Sequence, residues 1–170
     1  MPPKSHNRSQ KVICTPKRMM LCIWWGVRGV YHWELLPTNA TITSRVYVEQ
    51  LRRLEAKLHQ LNPPLNKVLL LHDNARPHVA KETRLEILRL KWEVLPHPAY
   101  SPDLAPSDYH LFRSLSNHLQ GKNFDDRNDL EHELVNFFRK KSPNFWRNGI
   151  HSLSERWRTV IDNDGNYITA

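Results

Sequence analysis

The sequence predicts an α/β protein in which a mixed β-sheet carries helices on both faces. Two apolar runs joined by a glycine turn come first, and short apolar runs then alternate with segments of helical period. A hairpin followed by strand–helix alternation is typical of such a sheet. The chain has 170 residues, of which 39% are hydrophobic and 25% are charged, so it fits one globular domain.

The first predicted element is a β-hairpin. Residues 19–25 and 30–36 are apolar runs, and Arg28-Gly29 between them is a turn signal.

A long helix follows the hairpin, with Thr41 or Thr43 as its amino-terminal cap. Its apolar residues recur at steps of three and four, which is the period of one helical face: Tyr47, Leu51, Leu54, Leu58 and Leu61. Asn62-Pro63-Pro64 is expected to end this helix, because proline cannot continue it.

Strands and helices alternate in the middle of the chain. Val68 to Leu71 is a short apolar run, which predicts a central strand buried on both faces. Residues 79–90 predict a helix, and residues 92–95 predict a further strand. One face of that helix carries Val79, Thr83, Ile87 and Leu90. Residues 96–106 contain four prolines and predict a loop.

The last third of the chain is predicted to be helical. Ser107 is the expected cap of a helix that runs to Leu119 and ends at Gly121. Asp125 or Asp126 begins the next helix. A closing helical segment holds the apolar residues Trp146, Ile150, Leu153, Trp157 and Val160. The whole order of elements matches an RNase H-like fold whose first strand is missing.

Positive charge dominates the beginning of the chain. The net charge is +8, and residues 1–33 contain no acidic residue. We expect residues 1–17 to form a basic, disordered or loop-like arm ahead of a partial RNase H-like domain at 18–170. Such an arm fits a phosphate-binding segment. It fits a solvated tail equally well, and charge alone does not choose between the two.

Two cysteines, Cys14 and Cys22, are too few for a disulfide scaffold or a zinc cluster, so we expect reduced thiols in an intracellular protein. No run approaches 18 apolar residues, and the first twelve residues lack the apolar core of a secretory signal. A membrane partner is therefore not expected.

Two aspartates carry the candidate chemistry. Asp73 ends the apolar strand, and Asp108 lies at a predicted helix start with 34 residues between them. Carboxylates that meet at one sheet edge can hold a pair of divalent metal ions, and Mg²⁺ or Mn²⁺ suits such hard oxygen ligands. Each residue also has a simpler interpretation. Asp73 can cap the following turn, and Asp108 can stabilise a helix by placing its negative charge at the positive, amino-terminal end.

Histidines crowd the same two regions, at positions 72, 78, 97 and 110. The spacing His72-x₅-His78 is not a recognised zinc-ligand spacing, and no cysteine lies nearby, so zinc is not expected. Asn74 and Arg76 fit either as supports and phosphate contacts around Asp73 or as ordinary turn residues.

The longest motifs resemble one family. Residues 72–78 read HDNARPH, residues 92–97 read WEVLPH, and residues 100–112 read YSPDLAPSDYHLF. From about Met19 to Tyr167 the chain resembles the mariner transposases of the Tc1/mariner superfamily, and the 34-residue interval is the mariner pattern.

The resemblance implies an RNase H-like catalytic domain that uses three carboxylates and two ions, Mg²⁺ or Mn²⁺, to cut transposon ends and join them to a TA target. Asp73 matches the second catalytic aspartate and Asp108 the third. DNA is the implied partner, with a homodimer and a nuclear location as further expectations. The candidate DNA contacts are Lys4, Arg8, Lys11, Lys17, Arg18 and Arg76.

The family's first aspartate has no counterpart in these 170 residues, since the only acids before Asp73 are Glu34, Glu49 and Glu55. The helix-turn-helix domains that recognise transposon ends are also lacking. We therefore expect an incomplete two-ion site and a truncated catalytic domain that is inactive alone. The alternative is a domesticated, non-catalytic module that binds DNA or another partner. A third interpretation is a nuclease acting on RNA–DNA hybrids.

Overall fold

The computed structural model describes residues 10–13, 19–37, 39–61, 67–166 and 168. The chain begins with an antiparallel sheet in the order β1-β2-β3, formed by Gln10–Ile13, Met19–Gly26 and Gly29–Pro37. The predicted hairpin is β2 and β3, and Gly29 at its turn has a φ of 121°, a conformation that favours glycine.

Strand β1 differs from our expectation for the basic arm. A loop-like segment is predicted over residues 1–17, but Gln10–Ile13 pair with β2, with Gln10 opposite Cys22 and Ile13 opposite Met19. The edge of β2 presents backbone N–H and C=O groups that need partners, so even a short segment with little strand pattern can pair there.

Helix α1, Ser44–Leu61, agrees closely with the prediction. Thr43 caps it, since the Val46 amide donates to Thr43 Oγ1 at 3.3 Å. Tyr47, Leu51 and Leu54 are buried on the predicted face, whereas Leu61 at the last turn is exposed.

The middle of the chain forms a second, separate sheet of two parallel strands, β4 at Leu69–Leu70 and β5 at Glu93–Val94. Leu70 is buried, but Leu69 is 54% exposed, so the prediction of a strand buried on both faces is wrong. Among the described residues, β4 pairs only with β5, so one of its edges has no partner strand.

The helix predicted at residues 79–90 is two helices. Helix α2, Arg76–Val79, and helix α3, Lys81–Leu90, are separated by Ala80, whose ψ of 150° is extended. Thr83 Oγ1 donates to the Pro77 carbonyl at 2.6 Å and holds the two together.

The remaining elements are helical. A 3₁₀ turn at Pro102–Leu104 and a π-helix at Ser107–Phe112 lead into α4, Arg113–Leu119. Asp126 caps α5, Arg127–Lys140, by accepting from the Asp129 amide at 3.0 Å, as one of the two predicted starts. Helix α6, Pro143–Asp162, closes the chain. No helix in the described part of the chain is long and apolar enough to cross a membrane.

Strand β2 separates two hydrophobic cores. Its Leu21 and Ile23 face the carboxyl-terminal core, which also contains Leu35, Leu111, Phe112, Leu115, Leu130, Leu134, Phe137 and Trp146. Its Cys22 and Trp24 face the α1 core, with Tyr47, Leu51, Leu54, Leu70, Ile87 and Leu90. Burying a large apolar side chain contributes about 1.5–3 kcal/mol, so both cores stabilise the strand between them. The predicted arrangement of helices on both faces is confirmed.

The Cys22 thiol is free and buried, and burial raises its pKa to about 11. Cys14, the other cysteine, lies outside the described residues, so the reduced state of the two thiols stays a prediction.

Candidate active site

Asp73 lies in the turn between β4 and α2, and it is only 7% exposed. Its Oδ1 accepts from the Ala75 amide at 3.0 Å and from His78 Nδ1 at 2.7 Å. Because a carboxylate oxygen can only accept, His78 must carry its proton on Nδ1. The expected turn-capping role of Asp73 is confirmed, and the same bonds fix the direction of its carboxylate.

A stack of aromatic rings supports this carboxylate from inside the protein. The side chain of His78 is fully buried. Its ring lies parallel to that of His72 with 5.0 Å between the ring centroids, and 4.2 Å from the Tyr47 ring. Tyr47 Oη and His72 Nδ1 are 2.9 Å apart. Burial, followed by the neighbouring His78, lowers the pKa of His72 to about 4, so its ring is neutral at pH 7.

Two of these histidines already have partners for their Nδ1 atoms. His78 Nδ1 is bound to Asp73, and His72 Nδ1 contacts Tyr47. Among the described residues, no group of three or more His, Cys, Asp or Glu side chains could hold a metal ion. Asp73 is the one carboxylate among the described residues that line the cleft beside it.

The proline-rich loop folds back onto Asp73. Asn74 Nδ2 donates to the His97 carbonyl at 3.0 Å, which ties this loop to the Asp73 turn. A cleft of about 20 Å³ lies between them, enough for about one water molecule or ion. Its lining residues are Leu71, His72, Asp73, His97, Ala105, Pro106 and Ser107. Asp73 thus lies against the segment that leads directly into Asp108.

Asp108 is the second residue of the π-helix, and it is half-buried. The predicted cap at Ser107 is wrong, because no side chain caps this helix and Ser107 Oγ instead accepts from Trp25 Nε1 at 3.0 Å. A buried indole N–H needs an acceptor, and Ser107 supplies it. Short π-helical segments are rare in proteins, and many of those that do occur lie at functional sites.

The π-helix is held between strand β2 and helix α6. Tyr109 Oη donates to the Gly149 carbonyl at 2.7 Å, and His110 Nε2 donates to the Phe145 carbonyl at 2.8 Å. The His110 ring also stacks on Trp25, with 6.2 Å between centroids. Asp108 is therefore carried on a segment that is fixed from two sides.

Gly149 allows α6 to approach this closely. A Cβ at position 149 would lie 2.4 Å from His110 Cδ2 and 2.8 Å from a ring carbon of Trp25. Only glycine fits between the two rings without displacing one of them.

The three glutamates before Asp73 are bound elsewhere. Glu34 accepts from Arg53 at 2.7 and 3.1 Å, from Gln50 at 3.1 Å, and contacts His32 at 2.7 Å. Glu49 lies 3.8 Å from Arg45, and Glu55 accepts from Arg89 at 2.8 Å. None of them lines the Asp73 cleft.

The predicted DNA contacts are only partly visible. Arg76 is exposed at the start of α2, three residues after Asp73. Lys4, Arg8, Lys17 and Arg18 lie outside the described residues, as does the side chain of Lys11 on β1. DNA binding by the arm therefore stays a prediction.

The sequence does not reveal two supports of the site. Its patterns place Tyr47 only on the apolar face of α1, and Trp25 only in the hairpin. A tyrosine on an otherwise aliphatic helical face is a usable signal, because its hydroxyl needs a buried partner. Nothing near Trp25 in the sequence points to Ser107, which is 82 residues away.

Comparison with known proteins identifies the family. The family model described as "Transposase (partial DDE domain)" matches residues 2–68. The solved catalytic domain of Mos1 transposase, in a structure with raltegravir and Mn, superposes with a TM-score of 0.91 at 41% identity, covering 94% of this chain and 82% of that one. The chain belongs to the mariner transposase family. The RNase H-like fold of the mariner domain is thereby confirmed.

Two curated relatives match nearly the whole mariner domain. Human histone-lysine N-methyltransferase SETMAR is 42% identical over 160 residues, which are 92% of this chain and 23% of that protein. The mariner Mos1 transposase of Drosophila mauritiana is 43% identical over 156 residues, 89% of this chain and 45% of that protein. The chain thus spans less than half the length of either relative. Other matching Mos1 structures include a form with Mg and a paired-end complex with the left transposon end, at TM-scores of 0.90 and 0.87.

Proposed function

We propose that this mariner domain is the catalytic domain of a transposase that cleaves and joins DNA by metal-dependent phosphoryl transfer, that it is inactive by itself, and that Asp73 and Asp108 are its ligands for Mg²⁺ or Mn²⁺. The observation that carries the proposal is the cleft in which buried Asp73 lies against Ala105 to Ser107, directly before Asp108. The solved Mos1 catalytic domains with Mn and with Mg support the choice of ions.

The donor set fits these ions. Carboxylate oxygens are the ligands that Mg²⁺ and Mn²⁺ prefer, and Mg²⁺ typically uses one or two carboxylates together with water and phosphate. When bound, such ions polarise the phosphate and activate the attacking oxygen. The chain's own contribution is orientation: His78 holds the carboxylate of Asp73, and the π-helix carries Asp108.

We propose further that the two-ion site is incomplete within these 170 residues. The family uses three carboxylates, and Glu34, Glu49 and Glu55 are each bound to basic side chains away from the cleft. No carboxylate that precedes Asp73 in this chain is then placed to act as the third ligand.

Titration with Mn²⁺ tests the metal site directly. We expect weak binding that is lost in the double variant Asp73→Ala, Asp108→Ala. The matched control Asp125→Ala, Asp162→Ala removes two exposed carboxylates elsewhere and should leave Mn²⁺ binding unchanged. Tight binding that survives the loss of Asp73 and Asp108 would show that other residues hold the ion.

Cleavage is tested with a fusion. The part of Mos1 transposase that precedes its matched region would be joined to this chain, and transposon-end DNA would be the substrate. We expect metal-dependent cutting by the fusion and none when Asp108→Ala is introduced. The 170-residue chain alone should give no detectable cutting, because its two-ion site is incomplete. Position errors near 1 Å in such a site already cost on the order of 10²-fold in rate. A folded, Mn²⁺-binding fusion that does not cut would favour a non-catalytic, DNA-binding module instead.

DNA is the partner that this function requires, and the Mos1 paired-end complex with a transposon end supports it. A nuclear location and a homodimer complete the proposal. Microscopy of a tagged chain and analytical ultracentrifugation test these two points, and a cytosolic monomer would contradict them.

A further inference from the structure

A second cleft, distinct from the one at Asp73, lies between the tip of the β2–β3 hairpin and the start of α6. Its volume is about 410 Å³. Its lining residues are Val27, Arg28, Lys141, Pro143, Trp146 and Arg147. Three of these six residues are cations and none is acidic, so we refer to it as the basic cleft.

The cations of the basic cleft are not neutralised by nearby acids. Arg28 and Arg147 are exposed, and neither forms an ion pair with a carboxylate among the described residues. In contrast, Arg52, Arg53 and Arg89 of the α1–α3 region are all paired with glutamates. A cleft lined by unpaired positive charges attracts anions.

Lys141 is held in a fixed orientation. Its Nζ donates to Ser114 Oγ at 2.8 Å and lies 4.5 Å from the centroids of both the Phe137 and Phe145 rings. An ammonium group fixed in this way loses little further conformational entropy when it binds an anion.

The basic cleft is connected to the candidate active site by a short aromatic contact. Trp146, which forms its wall, packs on Trp25 with 5.6 Å between ring centroids. Trp25 in turn donates to Ser107, the residue before Asp108. Two side-chain contacts therefore separate the basic cleft from the segment that carries Asp108.

We propose that the basic cleft binds backbone phosphates of DNA beside the cleavage site. Arg28 and Arg147 supply planar guanidinium groups suited to phosphate oxygens, and Lys141 supplies a point charge. Val27 and Pro143 give the cleft apolar surface for the intervening sugar. The inference rests on the proposed function in one respect, which is that DNA is the partner.

The test measures duplex DNA binding by the whole chain, without divalent metal, over a range of salt concentrations. The variant Arg28→Gln, Arg147→Gln should lower the slope of log affinity against log salt by about 1.8, since each phosphate that is no longer neutralised accounts for about 0.9. The dissociation constant at 0.1 M salt should rise on the order of 10-fold, equally for unrelated DNA sequences.

The matched control is Arg84→Gln, Arg158→Gln, which removes two exposed arginines from α3 and from the far end of α6. It should leave the slope nearly unchanged. An equal loss in both variants would overturn the inference, because total charge would then explain the effect. An unchanged slope in Arg28→Gln, Arg147→Gln would overturn it as well. In that case, fusion cleavage that depends on Asp108 would leave the proposed function standing, whereas a wild-type chain that binds no DNA would contradict both.

Discussion

Replacing His78 tests whether Asp73 is held for metal binding or only for folding. His78→Leu keeps a side chain of similar size in a fully buried position but removes the donor 2.7 Å from Asp73 Oδ1. A hydrogen bond to a charged group contributes about 1.5–3 kcal/mol. Residues that orient a metal ligand typically change metal affinity by about 10- to 100-fold when they are mutated. We expect Mn²⁺ affinity to fall by that factor.

His78→Asn gives the complementary change. Its amide nitrogen can donate from nearly the position of Nδ1, but the ring that stacks on His72 and Tyr47 is removed. The cavity should destabilise the fold by about 1–3 kcal/mol, as buried large-to-small changes do. His78→Leu loses the hydrogen bond and His78→Asn leaves a cavity, so both variants should be destabilised by comparable amounts of about 1–3 kcal/mol, whereas Mn²⁺ affinity should fall in His78→Leu and be largely kept in His78→Asn.

The assays are calorimetric Mn²⁺ titration and thermal unfolding of the metal-free chain. Wild-type Mn²⁺ affinity in His78→Leu would refute a role for His78 in holding the metal ligand. Affinity that follows stability in both variants would refute it too, since His78 would then act only through packing.

Three further predictions concern stability and DNA binding. Gly149→Ala should lower the free energy of unfolding by about 1–3 kcal/mol, because the added Cβ would collide with His110 and Trp25. Thermal melting measures this, and Asn148→Ala, at an exposed neighbouring position, is the control. An unchanged melting temperature in Gly149→Ala would contradict the prediction. Burial opposes ionisation of Glu34, but hydrogen bonds from His32, Arg53 and Gln50 outweigh it and lower the pKa to about 2, so the stability it contributes above about pH 4.5 should be lost as the pH falls toward 2. Urea unfolding across that range should show this loss in the wild type and a weaker one in Glu34→Gln; equal pH dependence would contradict it. The last prediction replaces the cations of the arm with glutamine, at Lys4, Arg8, Lys11, Lys17 and Arg18. The slope of log DNA affinity against log salt concentration should become shallower by about 0.9 for each phosphate that the arm neutralises. An unchanged slope would show that the arm is a solvated tail.

Local pattern was sufficient wherever a local interaction decides the structure. Thr43 and Asp126 cap their helices through hydrogen bonds to amides three residues away, so both caps can be predicted from the local sequence. The apolar period of α1 likewise predicts which residues are buried, because the helix has one face toward a core. The position of Asp73 after a short apolar strand was predictable for the same reason.

Long-range pairing accounts for what the sequence did not reveal. Ser107 looks like a cap but accepts from Trp25, 82 residues away, and a π-helix forms where a regular helix was expected. Gln10–Ile13 carry little strand pattern, and their pairing depends on the open edge of β2. The exposure of Leu69 depends on what packs against its face of β4, and the apolar character of the residue itself does not show this.

The segments that carry the two aspartates pack into different hydrophobic cores, one on each side of β2. Asp73 follows Leu70, which belongs to the α1 core, and Asp108 precedes Leu111 and Phe112, which belong to the carboxyl-terminal core. A mutation that repacks one core therefore acts first on the aspartate that is attached to that core. Since errors near 1 Å matter in such sites, the distance between the acids can drift through substitutions far from either, and the two packing layers must evolve in step for activity to persist.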